Sequence, residues 1–102
     1  MINLTSAQRS YLTKNSHKIK PVVYVGQNGL TEAVGKAVLE AFKHNEIVKV
    51  KFVSNKEIKR DIATELESYT ESALVRIIGH IAIYYKPFDE VEDRILRLPK
   101  SE

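Results

Sequence analysis

Two groups of residues in this 102-residue chain are of types, and at spacings, that could do chemistry. The first is Gly26-Gln27-Asn28-Gly29. Two glycines separated by two polar residues let backbone amides approach a ligand with no Cβ in the way. Thr31, just beyond, is a helix N-cap type. The loop amides would then lie near the positive end of a helix, where an anion is stabilised. Asn-Gly is also ordinary turn chemistry, and the loop alone does not choose between these readings. A dinucleotide fingerprint would need Gly-x-Gly-x-x-Gly, and a Walker loop would end in Gly-Lys-Ser/Thr. Here Gly29 is followed by Leu30-Thr31, so neither is present.

The second group is basic. Residues 1–60 hold eleven lysines and arginines against four acids, a net +7, and residues 61–102 hold five against nine, a net −4. The whole chain is +3. Such polarisation suggests an anionic partner on one side, with chance surface clustering as the plain alternative. Lys49 and Lys51 alternate with Val48, Val50 and Phe52, so both lysines share one face of a strand. A two-residue turn at Gly79-His80 pairs Ile78 with Ile81 and Arg76 with Ile83. That places Leu74, Arg76, Ile83 and Tyr85 on one face and Val75, Ile77, Ala82 and Tyr84 on the other. If the second set is core, Lys49, Lys51, Arg76 and Tyr85 share the outer face. Cations beside a ring suit phosphate contact and base stacking, unless the N-terminal helix covers the face. Lys56, Lys59 and Arg60 cluster in the first turns of a helix, where the macrodipole disfavours cations. An external anion would explain them, and so would i,i+4 pairing with Glu57 and Asp61.

Other chemistries lack their residues. There is no cysteine, which excludes disulfides and thiolate sites. His17, His44 and His80 have no ligand spacing, so no metal is expected. No nucleophile elbow of the Gly-x-Ser-x-Gly kind occurs, and no catalytic set is recognisable. No apolar run approaches the ~18 residues a membrane span needs, and the opening Met-Ile-Asn-Leu-Thr-Ser does not read as a secretory signal. Neither a cofactor nor a small-molecule substrate is expected. Cytoplasmic residence fits.

The elements that position these residues follow from spacing. Thr5-Ser6-Ala7-Gln8 reads as a capping box opening a helix from Ser6 to about Asn15, with Leu4, Ala7, Tyr11 and Leu12 as its stripe. Val22–Val25 reads as a strand behind Pro21. Thr31 to about His44 is a helix, and Ile47–Val53 is a strand. Ser54–Glu57 reads as a second capping box before a helix carrying Ile58, Ile62, Leu66 and Tyr69. Ala73–Ile78 and Ile81–Lys86 form a hairpin. The order α, then βαβαββ, predicts a two-layer α/β sandwich with a mixed four-stranded sheet, its strand–helix–strand units paired in parallel. The length allows one domain, taken as residues 1–87. Residues 88–102 form a tail, acidic at Asp89, Glu90, Glu92 and Asp93 and then basic, which would add an edge strand or fray.

His17, Lys20-Pro21-Val22-Val23, Gly26-Gln27-Asn28-Gly29-Leu30-Thr31-Glu32, Ile78-Gly79 and Tyr85-Lys86-Pro87 together resemble the CRM domain (chloroplast RNA splicing and ribosome maturation), in its stand-alone bacterial, YhbY-type form. The likeness spans about residues 3–87. It implies a fold similar to the C-terminal domain of translation initiation factor 3. It also implies binding of structured RNA, in bacteria the rRNA of large-subunit precursors, with no catalytic residues or cofactors. On that reading Gly26–Gly29 grips backbone, with Gln27 and Asn28 adding hydrogen bonds. Lys18, Lys20, Lys49, Lys51, Lys56, Lys59 and Arg60 attract phosphate. The acidic Asp89–Asp93 stretch departs from the family pattern and should repel RNA. It favours an alternative, a protein-interaction adaptor for an assembly factor. A small-anion enzyme built on the glycine loop is a third reading, which lacks an acid, a base or a metal.

Overall fold

In a computed structural model that describes residues 2–100, seven regular elements build one sheet with helices packed on both of its faces. Ser6–Asn15 is α1, opened by the expected capping box. Gln8 N–H donates to Thr5 Oγ1 at 3.1 Å, and Thr5 N–H donates to Gln8 Oε1 at 3.0 Å. Val23–Val25 is β1, Glu32–Phe42 is α2, Ile47–Phe52 is β2, Lys59–Thr70 is α3, Ala73–Ile78 is β3 and Ile81–Tyr85 is β4. Met1, Ser101 and Glu102 lie outside the described residues, and with them the last two positions of the expected tail.

The sheet is four-stranded and mixed, in the order β1-β2-β4-β3. β1 and β2 pair in parallel, and β4 is antiparallel to both β2 and β3. The second strand–helix–strand unit therefore differs from expectation. β3 runs in the same direction as β2 but does not pair with it, because β4 inserts between them.

One core lies between the sheet and α2/α3. Val25, Val38, Val50, Phe52, Leu66 and Tyr84 are its fully buried centre. Tyr84 keeps its hydroxyl satisfied by donating to the Ala63 carbonyl at 2.8 Å. Gly35 is where α2 meets α3, since a Cβ there would collide with the Tyr69 ring. A second, smaller core lies on the opposite face under α1, from Leu12, Ile47, Val75, Ile83 and Tyr85.

That second core corrects the hairpin arithmetic. A bulge between Leu74 and Arg76 adds a residue to β3, which flips the facing of everything before it. Leu74 joins the α2/α3 core and Val75 turns under α1. Tyr85, expected on an open face beside lysines, is buried.

The expected Ser54–Glu57 capping box does not form. Asn55 takes a left-handed conformation (φ 54°) and a short 3₁₀ turn, Lys56–Ile58, precedes α3. The described residues of the tail, 88–100, form no strand. After a 3₁₀ turn at Val91–Asp93 the tail folds back against the α1 face, where Leu96 and Leu98 pack on the second core.

Candidate functional site

The parallel direction of β1, β2 and β3 sends the segments that follow them out of the same end of the sheet. Val25 pairs with Phe52, and Lys51 pairs with Ile81. The Gly26–Gly29 loop, the Ser54–Ile58 segment and the Gly79-His80 turn are thus neighbours. In open α/β sheets this carboxyl end is where ligands bind.

The glycine loop is a tight turn closed by Gly29 N–H donating to the Gly26 carbonyl at 3.1 Å. Gly29 sits at φ +64°, a conformation that disfavours any side chain. Gly26 has ordinary φ, and a Cβ there would meet only open space. Its missing side chain leaves clearance for an approaching ligand. Gln27 and Asn28 are exposed, and among the described residues nothing accepts from their backbone N–H groups. Thr31 caps α2 by accepting from Val34 N–H at 3.2 Å.

Asn55 braces this loop from the next one. Its side-chain amide donates to the Gln27 carbonyl at 2.8 Å and to the Gly26 carbonyl at 3.2 Å. Carbonyls held backward leave the amides facing outward, as an anion-binding concavity requires.

The third loop adds charge. Lys59 Nζ donates to the Gly79 carbonyl and lies 3.3 Å from His80 Nδ1. Partial desolvation in the turn, together with the ammonium groups of Lys59, Lys56 and Lys51, holds the His80 imidazole below the ordinary histidine range. Because the ring itself is exposed, the lysine field is the more telling of these causes. Three lysines focused on one turn make a positive site. Ion pairs among the described residues are Glu32–Lys36 and Glu40–Lys43, with His44 Nε2 4.0 Å from Glu40. None of them engages Lys49, Lys51, Lys56, Lys59 or Arg60, so the i,i+4 pairing with Glu57 and Asp61 does not form.

Gly26, Gln27, Asn28, Gly29, Lys51, Lys56 and Lys59 are therefore gathered at one end. The other expected residues are not. Lys18 and Lys20 lie in the connection before β1, at the far end of that strand from the loop. Lys49 stands midway along β2, half-buried and opposite Ile83. Arg60 lines a groove along the β3 edge with Arg9 and Arg76. Three further residues, Tyr24, Asn55 and His80, share the gathered end. Tyr24 is signalled by its alternation with Val23 and Val25, which forces it to the opposite face. Asn55 is a type that tolerates positive φ, but its partners lie 28 and 29 residues away. His80 has no local signal, since Lys59 reaches it from another element.

Among the described residues no group of histidines, aspartates and glutamates is arranged to hold a metal. No helix among the described residues is long and apolar enough to cross a membrane.

The CRS1 / YhbY (CRM) domain model matches residues 4–86. The chain belongs to this family. The matched span contains every element from α1 to β4, and the CRM fold is thus the whole of the sandwich described above. A Haemophilus influenzae protein named "RNA-binding protein" is 36% identical over 102 residues, covering 99% of this chain and 100% of that one. YqeI of Bacillus subtilis is 32% identical over 97 residues, covering 94% and 99%. The solution structure of a Staphylococcus aureus protein superimposes with a TM-score of 0.80 at 30% identity, covering 95% of this chain and all of that one.

Proposed function

We propose that this CRM protein is a non-enzymatic, cytoplasmic RNA-binding protein that associates with structured rRNA in precursors of the large ribosomal subunit and assists their assembly. One observation carries the reading. Two outward N–H donors in the glycine loop share one end of the sheet with Lys51, Lys56 and Lys59, none of them neutralised. Lysines draw phosphate through counterion release, and backbone N–H groups fix a local segment of the RNA backbone with no preference for sequence. Shape then governs the choice of RNA. Lys18, Lys20, Lys49 and Arg60 belong to the wider field that steers encounter.

The test is the double variant Gln27→Asp/Asn28→Asp. Both side chains are exposed, so the melting temperature should stay put while affinity for large-subunit rRNA fragments falls at least about tenfold, which corresponds to roughly 1.4 kcal/mol. Wild-type affinity in the double variant would remove the loop from the interface. The adaptor reading, which Asp89–Asp93 favours, predicts partner binding that is insensitive to salt and untouched by these substitutions.

A further inference from the structure

The face of the sheet opposite α2 and α3 is only half covered. α1 lies over the end where Ile47, Val75, Ile83 and Tyr85 are buried, and Arg9 pins it there by donating to the Leu74 and Val75 carbonyls at 2.6 and 2.8 Å. Beyond that, toward the glycine loop, a row of directly paired residues crosses all four strands. Tyr24 pairs with Lys51, Lys51 with Ile81, and Ile81 with Ile78. Paired residues share a face, so these four side chains form one line, spanning roughly 14 Å at the usual strand spacing of about 4.8 Å. Tyr24 is 56% exposed and Ile78 is 52% exposed. Val53, 48% exposed, stands next to the row at the loop end.

Apolar surface left open on a sheet marks an interaction site. The charges on this face say which kind. Lys49 and Lys51 project from it, Arg76 flanks Ile78, and none of the four strands carries a carboxylate. A ring beside cations, with aliphatic side chains continuing the plane, suits unpaired nucleobases with their phosphates on the lysines. Tyr24 is two residues from Gly26, so the row is continuous with the glycine loop.

We infer that Tyr24, backed by Lys51, Ile81 and Ile78, is a stacking platform for unpaired nucleotides that adjoin the folded RNA segment held at the loop. This rests on the RNA-binding reading above and extends it. The preferred ligand is RNA with a single-stranded stretch next to structure, rather than a closed helix.

The experiment compares one large-subunit rRNA hairpin in two forms, blunt and with a short unpaired extension carrying 2-aminopurine. Wild type should bind the extended form about 5- to 150-fold more tightly, the range for one base stacked on one ring, and should quench 2-aminopurine at one or two positions. Tyr24→Ala should abolish both the preference and the quenching while keeping the blunt-form affinity and the melting temperature. Tyr24→Phe should retain both. Equal wild-type affinity for the two forms overturns the platform. So does a preference that survives in Tyr24→Ala, or an equal loss on both forms in that variant. Absence of wild-type binding to either hairpin would instead bring down the RNA-binding reading itself, and the platform with it.

Discussion

The two glycines of the loop look equivalent in the sequence and have different jobs in the fold. Gly29 is required by backbone geometry, because φ +64° costs an L-residue roughly 1–2 kcal/mol. Gly26 is required by nothing inside the chain, since a Cβ would meet only solvent. Gly29→Ala should therefore lower the urea midpoint by an amount near that cost. Gly26→Ala should leave the midpoint unchanged yet weaken RNA binding, because the new methyl stands where phosphate must come close. Equal RNA affinity in Gly26→Ala and wild type would mean the loop backbone makes no close contact. Asn55 belongs to the same scale. The sequence offers it as part of a helix cap, but its φ of 54° and its bonds to Gly26 and Gln27 make it a brace between loops. The local string cannot reveal this, because the partner carbonyls come from a different loop. His80 gives a pH test. Its lowered folded-state value means the unfolded chain binds that proton more readily. The free protein should lose stability as pH falls below about 6.5 toward the folded value. Phosphate beside the ring would reverse the lysine field and raise that value, so RNA affinity should increase between pH 7.5 and 5.5. His80→Gln should flatten that rise, and an unaltered pH profile in this variant would place His80 outside the interface.

At the scale of elements, what the periodicity predicts holds wherever an element buries one clean face. The first capping box, α2 behind Thr31, the alternation of β2 and the Gly79-His80 hairpin all form as their residue patterns demand. Failures occur where a tertiary contact overrides the local pattern. The β3 bulge reassigns Val75 and Leu74, and β4 separates β2 from β3. The segment after Pro87 is the largest surprise, and Glu46 explains it. This carboxylate is buried and accepts from three backbone N–H groups, Phe88 at 3.1 Å, Ile95 at 2.8 Å and Leu96 at 3.0 Å. Tyr11 Oη accepts from Arg97 N–H, and Gln8 Nε2 donates to the Pro99 carbonyl. The strap thus ties α1 to the sheet. Glutamine at 46 would offer one acceptor oxygen and turn its amide hydrogens toward a backbone N–H. Glu46→Gln should cost about 2 kcal/mol in urea unfolding, the scale of hydrogen bonds to a charged group. It should also speed hydrogen exchange at Phe88, Ile95 and Leu96. Slow exchange at those three amides in the variant would show that apolar packing, not the carboxylate, holds the strap.

The tail carboxylates and the loop lysines lie at opposite ends of the sheet. Glu46 opens the end of β2 at which the chain leaves β4 through Lys86, whose N–H donates to the Glu46 carbonyl at 2.9 Å. Asp89, Glu90 and Asp93 gather there, around a groove with Lys43, His44 and Lys86. The glycine loop, Lys51, Lys56 and Lys59 lie at the other end, roughly 20 Å away along a six-residue strand. That exceeds two Debye lengths of about 8 Å at physiological salt. The acidic stretch, which net charge alone would set against RNA, is too distant to cancel the lysine field. Replacing Asp89, Glu90, Glu92 and Asp93 by their amides should change RNA affinity less than about twofold at that salt. The lysine pairs should separate by position. Replacing Lys51 and Lys56 by glutamine should reduce the slope of log affinity against log salt by about 1.4 to 1.8, as two lost phosphate contacts require. The same change at Lys18 and Lys20, beyond the opposite end of β1, should reduce it by much less. An equal drop for both pairs would mean that RNA wraps the full length of the β1 edge, and that the loop end is one part of a longer track.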